Sequence, residues 1–414
     1  MIEWIIWAVS FISLYVGVFW LHVVSLSEEK KTALASFPRV SIIVPAYNEE
    51  KGLAKTVRSL CALDYPKEKL EIIIVDHGST DTTASIGRQL VLEHPSQCIQ
   101  FVQRMRSAGE IKSHAFNEGL KHATGEFVAC VDADTVVIGS ALREMLPHFA
   151  DAQVGAVIST IKVSHPTNIY EKIQHLEYIF ATFTRGLMSK INTLHVTPGA
   201  LSVYRKILFD RYGGFDENNV TEDLEMAMRL RYHGYTIKLA KESVNYTRVP
   251  NTFNKLWAQR VRWFRGFMYN SMKYKKMLFR KKYELLGTFQ YPLNIISIFT
   301  VLLMFSLLAY TFFDTLLIQI SKLQAIGLEY FYFDFNNLPT IKQLILDLNI
   351  TLLFPIMISL FVGLFIYHLA HKNLKEKWRY PGALLTYLTL YPVVRSCHWV
   401  TAAYKEVFRV RKKW

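Results

Sequence analysis

Between Arg39 and Val131, short β-branched apolar runs alternate with stretches of helix length. "RVSIIVPAYNEE" (Arg39–Glu50) opens on such a run and ends in Pro45 and a polar turn; the spacing then predicts a helix from Gly52 to Leu63. "LEIIIVDHGSTD" (Leu70–Asp81) reads as a second buried strand, followed by a helix from Thr82. A strand at Ile99–Val102, a helix at Ser113–His122 and a strand at Glu126–Val131 complete the pattern. Apolar runs separated by helical segments indicate βαβ units, an α/β fold and a mostly parallel sheet. Such sheets bind ligands beyond the C-terminal ends of their strands. Asp76, Asp132 and Asp134 fall at that edge.

The longer apolar runs lie outside this region. Trp4–Val24 is about long enough to cross a bilayer, and Leu293–Phe313, Thr351–Leu369 and Gly382–Ala402 are three further candidates. The first lacks a basic n-region and a small-residue cleavage site, so it reads as an uncleaved anchor. The expected organisation is an anchor at 1–30, a soluble α/β domain at 31–245, basic amphipathic interfacial helices at 246–284, and a membrane bundle with a basic tail at 285–414.

Charge then orients the chain. Its net charge is +14 although 51% of its 414 residues are hydrophobic, which suits a membrane protein with a basic cytosolic face. Lys30 and Lys31 follow the anchor, and Lys255–Lys282 holds ten Lys or Arg, with no acid between Glu242 and Glu284. Both borders place the soluble domain in the cytosol, and the basic loop His371–Arg379 fits a return there after two crossings. A fourth full crossing would leave the basic tail "RVRKKW" outside; with Pro392 and Arg395 inside it, the last segment stays open between a crossing and an interfacial or re-entrant course. The basic residues cluster beside apolar spans and on no nucleic-acid reading module, so anionic membrane lipid is the expected partner. Cys61, Cys98, Cys130 and Cys397 show no paired spacing, which excludes a disulfide framework or zinc site.

No glycine-rich phosphate loop follows the first strand, and no Gly-x4-Gly-Lys-Ser/Thr occurs. Diphosphate charge could instead be met by Mg²⁺ or Mn²⁺ on oxygen ligands. Asp132 and Asp134 suit this, since two residues apart in extended backbone both project to one side; turn chemistry at a strand end is the other reading of the pair.

"VPAYNEE", "VDHGSTD", "DAD", "TED" (Thr221–Asp223) and "QRVRW" (Gln259–Trp263) occur in that order over Arg39–Arg265. The series resembles the family-2 glycosyltransferases of GT-A fold, in particular the membrane-embedded processive synthases of hyaluronan, chitin, cellulose and poly-N-acetylglucosamine. The resemblance implies an inverting transferase that moves a sugar from a UDP-sugar onto a growing polysaccharide, with coupled export across the membrane. It implies nucleotide contacts from Tyr47 and Glu49, a uracil contact from Asp76, and a nucleotide contact from Lys112. It gives Asp132 to the ribose side and the metal, and Asp134 to the metal bridging both phosphates. It makes Asp223 the general base with Glu222 beside it in the catalytic motif, sets Arg262 against the diphosphate, and gives Trp263 and Gln259 to the acceptor. "TPGALSVYRK" (Thr197–Lys206) would lie beside that acceptor, its turn made by Pro198 and Gly199. His77 departs from the pattern, which has a second aspartate there, and is read as a turn residue.

Read from the residues, Thr221 is a plausible N-cap with helix from Glu222. Asn294, Tyr387 and Tyr391 would be costly facing lipid and useful lining a sugar channel, or would hydrogen-bond between helices. Two alternatives compete: single transfer to a lipid acceptor such as a polyprenyl phosphate or ceramide, and a catalytically silent membrane component. The sequence names neither the sugar nor any partner subunit.

Overall fold

The computed structural model describes residues 2–27, 36–327 and 350–410. Lys30, Lys31 and the last four residues of the basic tail lie outside them. Helix α1 (Ile2–Ser25) is followed by β1 (Val40–Ala46), α2 (Leu53–Cys61), β2 (Leu70–His77), α3 (Thr83–Glu93), β3 (Cys98–Arg104), α4 (Lys112–His122) and β4 (Phe127–Cys130). The expected alternation is therefore present, although β2 ends at His77, four residues before the end of the stretch read for it. Next come β5 (Val136–Val137), α5 (Ala141–Met145), β6 (Val154–Val163), the long α6 (Ile169–Lys190), β7 (Ser202–Arg205) and α7 (Lys206–Tyr212). Helix α8 (Glu222–Tyr232), β8 (Thr236–Thr247) and α9 (Phe253–Lys273) lead to α10 (Tyr291–Ile326), α11 (Ile350–Asn373) and α12 (Pro381–Val407).

The eight strands form one mixed sheet in the order β3-β2-β1-β4-β7-β6-β8-β5. β1 pairs in parallel with β2 and β4, β2 with β3, and β6 with β8, while β7 runs antiparallel between β4 and β6. Strand β1 is buried on both faces. Val40, Ile42 and Val44 pack with Leu53 and Val57 of α2, whereas Ile43 packs with Ala115 and Phe116 of α4. That double burial is why its sequence reads as an unbroken apolar run. The chain leaves β1 toward β2 and β3, then returns to β4 on the other side of β1. The gap between the C-terminal ends of β1 and β4 is thus a topological switch point, where open α/β sheets bind ligands.

Among the described residues, three helical stretches are long and apolar enough to cross a membrane: Trp4–Ser25, Leu286–Ile326 and Leu353–Asn373. Helix α12 is long enough but not among them; it carries Arg395 and packs along α9 and α6. The fourth apolar run is thus a helix that lies against α9 and α6.

Candidate active site

The turn after β4 brings the two aspartates to the switch point. The Asp132 amide donates to Gly199 O (3.1 Å), and the Thr135 amide donates back to Asp132 O (3.0 Å). The pair therefore sits on a closed turn and not on extended backbone, because β4 ends at Cys130. Thr56 Oγ1 anchors the turn from α2 by donating to Ala133 O (2.8 Å). Gly52 permits this close approach: a Cβ there would stand 2.7 Å from the same carbonyl oxygen.

Helix α9 crosses the start of α8 just as closely. A Cβ at Gly266 would fall 2.1 Å from Thr221 Oγ1, so no larger residue fits. Thr221 holds the N-cap position of α8, but its hydroxyl makes no cap bond. It donates to Asn219 Oδ1 (3.1 Å) and accepts from Asn270 Nδ2 of α9 (3.1 Å), so it ties the acid motif to the helix carrying Gln259, Arg262 and Trp263.

One cleft of about 900 Å³ results. Tyr47, Glu49, Lys112, Asp132, Asp134, Glu222, Asp223, Gln259, Arg262 and Trp263 all line it, as do Pro198 and Gly199. Asp76 does not: it is fully buried at the end of β2, one oxygen accepting from the Ser79 amide (3.3 Å) and the other unpaired among the described residues. His77 lines the cleft in its place. It is no turn residue, since pairing with Arg104 of β3 keeps it in the strand. Asn294 also reaches the cleft, with its amide donating to His195 Nε2 (3.1 Å) and accepting from Gln290 (2.8 Å). Tyr387 and Tyr391 are not among the lining residues; the Tyr391 hydroxyl instead donates to Glu177 (3.0 Å).

The electrostatics divide the cleft. At the switch point, burial and the charge of Asp132 push Asp134 up to about 6, against the pull of Arg248 and Lys112. Burial and Asp134 push Glu49 up to about 7, although Arg248 bonds its carboxylate (3.0 Å). Lys112 ion-pairs with Asp132. Burial works against its ammonium, but Asp132, Glu222 and Asp223 outweigh that and raise its pKa. Burial raises both Glu222, to about 7 with the charge of Asp223 adding to it, and Asp223, while Lys112 and Arg262 act in the opposite direction.

This acidic group fits a divalent ion. Its donors are hard carboxylate oxygens that destabilise one another when no cation is present. Among the described residues no three His, Cys, Asp or Glu side chains are placed to hold one ion. The described residues therefore fit an ion held by no more than two of them, and Asp132 and Asp134 are the pair expected from the sequence. That is the mode of Mg²⁺-like ions, which take one or two carboxylates and complete their shell with substrate phosphate and water.

Sequence reading left residues 154–190 without a role, and α6 supplies much of the opposite wall. Glu177, Tyr178 and Arg185 line the cleft from it. Arg260 is buried and donates to Glu177 (2.6 Å), and its guanidinium lies 4.2 Å from the Trp263 ring centre. Arg106 lies the same distance from the Tyr47 ring. Arg248 and Arg395 were missed as well.

Residues 38–266, more than half of the chain, match the family described as glycosyltransferase like family 2. The chain belongs to this family of glycosyltransferases. The poly-beta-1,6-N-acetyl-D-glucosamine synthase of Staphylococcus epidermidis is 34% identical over 232 residues, which are 55% of this chain and 54% of that protein. The synthase of the same name from Staphylococcus aureus is 30% identical over 277 residues, 66% of this chain and 63% of the other. The matches thus span between half and two thirds of these relatives' length. A mannosyltransferase of Pyrobaculum calidifontis, solved in complex with GDP-Man and Mn2+, shares the fold, with a TM-score of 0.66 at 21% identity over 99% of this chain and 100% of that one.

Proposed function

We propose that this transferase is membrane-embedded and adds a hexosyl or N-acetylhexosaminyl unit from a UDP-sugar to a growing polysaccharide, with inversion. One observation carries the reading: a single cleft holds a carboxylate pair at the switch point, a buried acid at the start of α8, and Gln259, Arg262 and Trp263 on α9. Asp223 takes the proton of the acceptor hydroxyl as that oxygen attacks the anomeric carbon. Its raised pKa suits the task. Glu222 shares the site and keeps the local charge balanced against Lys112 and Arg262. Asp134 and Asp132 would hold a Mg²⁺ or Mn²⁺ ion, which would supply positive charge toward the leaving diphosphate; the Mn2+ in the Pyrobaculum enzyme supports this choice.

Tyr47, Glu49 and Lys112 belong to the donor end, with Arg262 reaching the diphosphate; Asp76, buried and outside the cleft lining, is not among them. At the acceptor end, Arg260 covers one face of Trp263 and the terminal sugar stacks on the other. The names of the staphylococcal relatives support N-acetylglucosamine as the sugar. The basic stretch Lys255–Lys282 supports a cytosolic catalytic domain. Asn294 and Ser297 of α10 and Pro392 and Ser396 of α12 continue the cleft toward the apolar helices and support export of the product there.

Ile298, Val301 and Trp399 at that end favour a second reading, transfer to a lipid acceptor. Vesicles containing the purified protein and a panel of radiolabelled UDP-sugars test both. One sugar should enter material that organic solvent does not extract. Absence of UDP release with every sugar would refute the transferase assignment of this site.

A further inference from the structure

Successive residues of a strand point to opposite faces of the sheet. At the end of β2, Asp76 and His77 therefore point apart, and it is His77 that lines the cleft. Its surroundings fix its proton. His77 Nε2 lies 3.0 Å from Glu110 Oε2. Glu110 also accepts from Arg104 (2.5 Å) and from the Ser107 amide (3.1 Å). Burial opposes its charge, but the bonds from His77 and Ser107 and the charge of Arg104 hold it down at about 2. An ionised carboxylate only accepts, so Nε2 must carry the hydrogen.

The imidazole is also kept neutral. Burial lowers its pKa, and Arg106 and Arg104 act in the same direction, while Glu110 opposes them. The His114 ring lies 6.3 Å away between ring centres, with Nδ1 at its own backbone at Ile111 and Nε2 3.5 Å from Glu217. In a neutral imidazole with hydrogen on Nε2, Nδ1 is a bare acceptor. Nδ1 has no hydrogen-bond partner among the described residues.

We propose that His77, its tautomer set by Glu110, presents Nδ1 as an acceptor to the base of the donor nucleotide and so selects a base with a ring N–H. Uracil and guanine carry that hydrogen; cytosine has a lone pair at the same ring position and meets Nδ1 acceptor to acceptor. Arg106 and Tyr47 flank the position, with the guanidinium over the ring. The proposal rests on the reading of this cleft as a nucleotide-sugar site and adds which residue reads the base.

Isothermal titration of the full chain in detergent with UDP, GDP and CDP, each with Mn²⁺, tests it. UDP or GDP should bind at least about tenfold more tightly than CDP, the usual effect of leaving one nearly buried acceptor unmatched. His77→Phe keeps the ring area and removes the acceptor, and should bring the ratio to within about threefold. Glu110→Gln can donate to Nε2 and so move the hydrogen to Nδ1, and should shrink the ratio or turn it toward CDP. Equal binding of UDP and CDP by the unaltered protein would overturn the proposal, as would an unchanged ratio in both variants. If none of the three nucleotides binds, the nucleotide-sugar reading fails together with it.

Discussion

Arg260→Met should be the most damaging single change outside the residues proposed for chemistry. Arg260 is about 1% exposed, and its partner Glu177 keeps only 15% of its side chain accessible. Taking away one member of a buried ion pair leaves the other charge uncompensated, at a cost of about 3–5 kcal/mol. Glu177 would keep the Tyr391 hydroxyl (3.0 Å), which reduces that cost. Loss of the guanidinium under Trp263 adds about 0.5–2 kcal/mol. Together these come to about 3.5–7 kcal/mol, with the retained Tyr391 bond favouring the lower end. Urea titration in detergent, followed by tryptophan fluorescence, reads the difference from the midpoint at unchanged slope. Glu177→Met should cost about as much, because it strands Arg260. The double variant should be less destabilised than the two singles added together, by about 2 kcal/mol, since no charge is left behind. Additivity to within about 0.5 kcal/mol would refute the pairing argument.

Asp223→Asn should still bind the UDP-sugar in equilibrium titrations while losing transfer by roughly 10²–10⁴-fold, the range for a positioned base. Loss of binding in step with transfer would make Asp223 structural. Asp134→Ala, or EDTA on the unaltered protein, should abolish turnover. Metal binding requires the ionised carboxylate, so with Asp134 near 6 Mn²⁺ affinity should rise with pH through that value and be roughly tenfold weaker at pH 5 than at pH 7.5. A flat profile over that interval would count against Asp134 as a ligand. Trp263→Ala should stop chain growth and leave donor binding measurable by titration.

The parts of this site that follow from local chemistry were readable in the sequence. The apolar runs of β1 and β2, the acids at the end of β4 and the acids opening α8 each declare themselves within a few residues. What escaped depends on which elements meet. Glu177 and Arg185 lie on α6, outside every motif of the sequence, and the packing of that helix on β6 and β8 sets them on the cleft wall. Thr221 was expected to cap its own helix, but the close crossing at Gly266 gives its hydroxyl to Asn219 and Asn270 instead. Which of Asp76 and His77 faces the ligand turns on strand register. The hydrogen on His77 turns on Glu110, 33 residues away in sequence.

The central claim, growth of a polymer in this cleft, is tested most directly by pulse and chase. Vesicles bearing the protein receive radiolabelled UDP-N-acetylglucosamine for a short pulse, then an excess of unlabelled donor, and the products are sized by gel filtration. Labelled chains that grow to high, polydisperse mass during the chase, while most acceptors stay unextended, are the predicted result. Label recovered only as a single sugar on an organic-extractable lipid would contradict it.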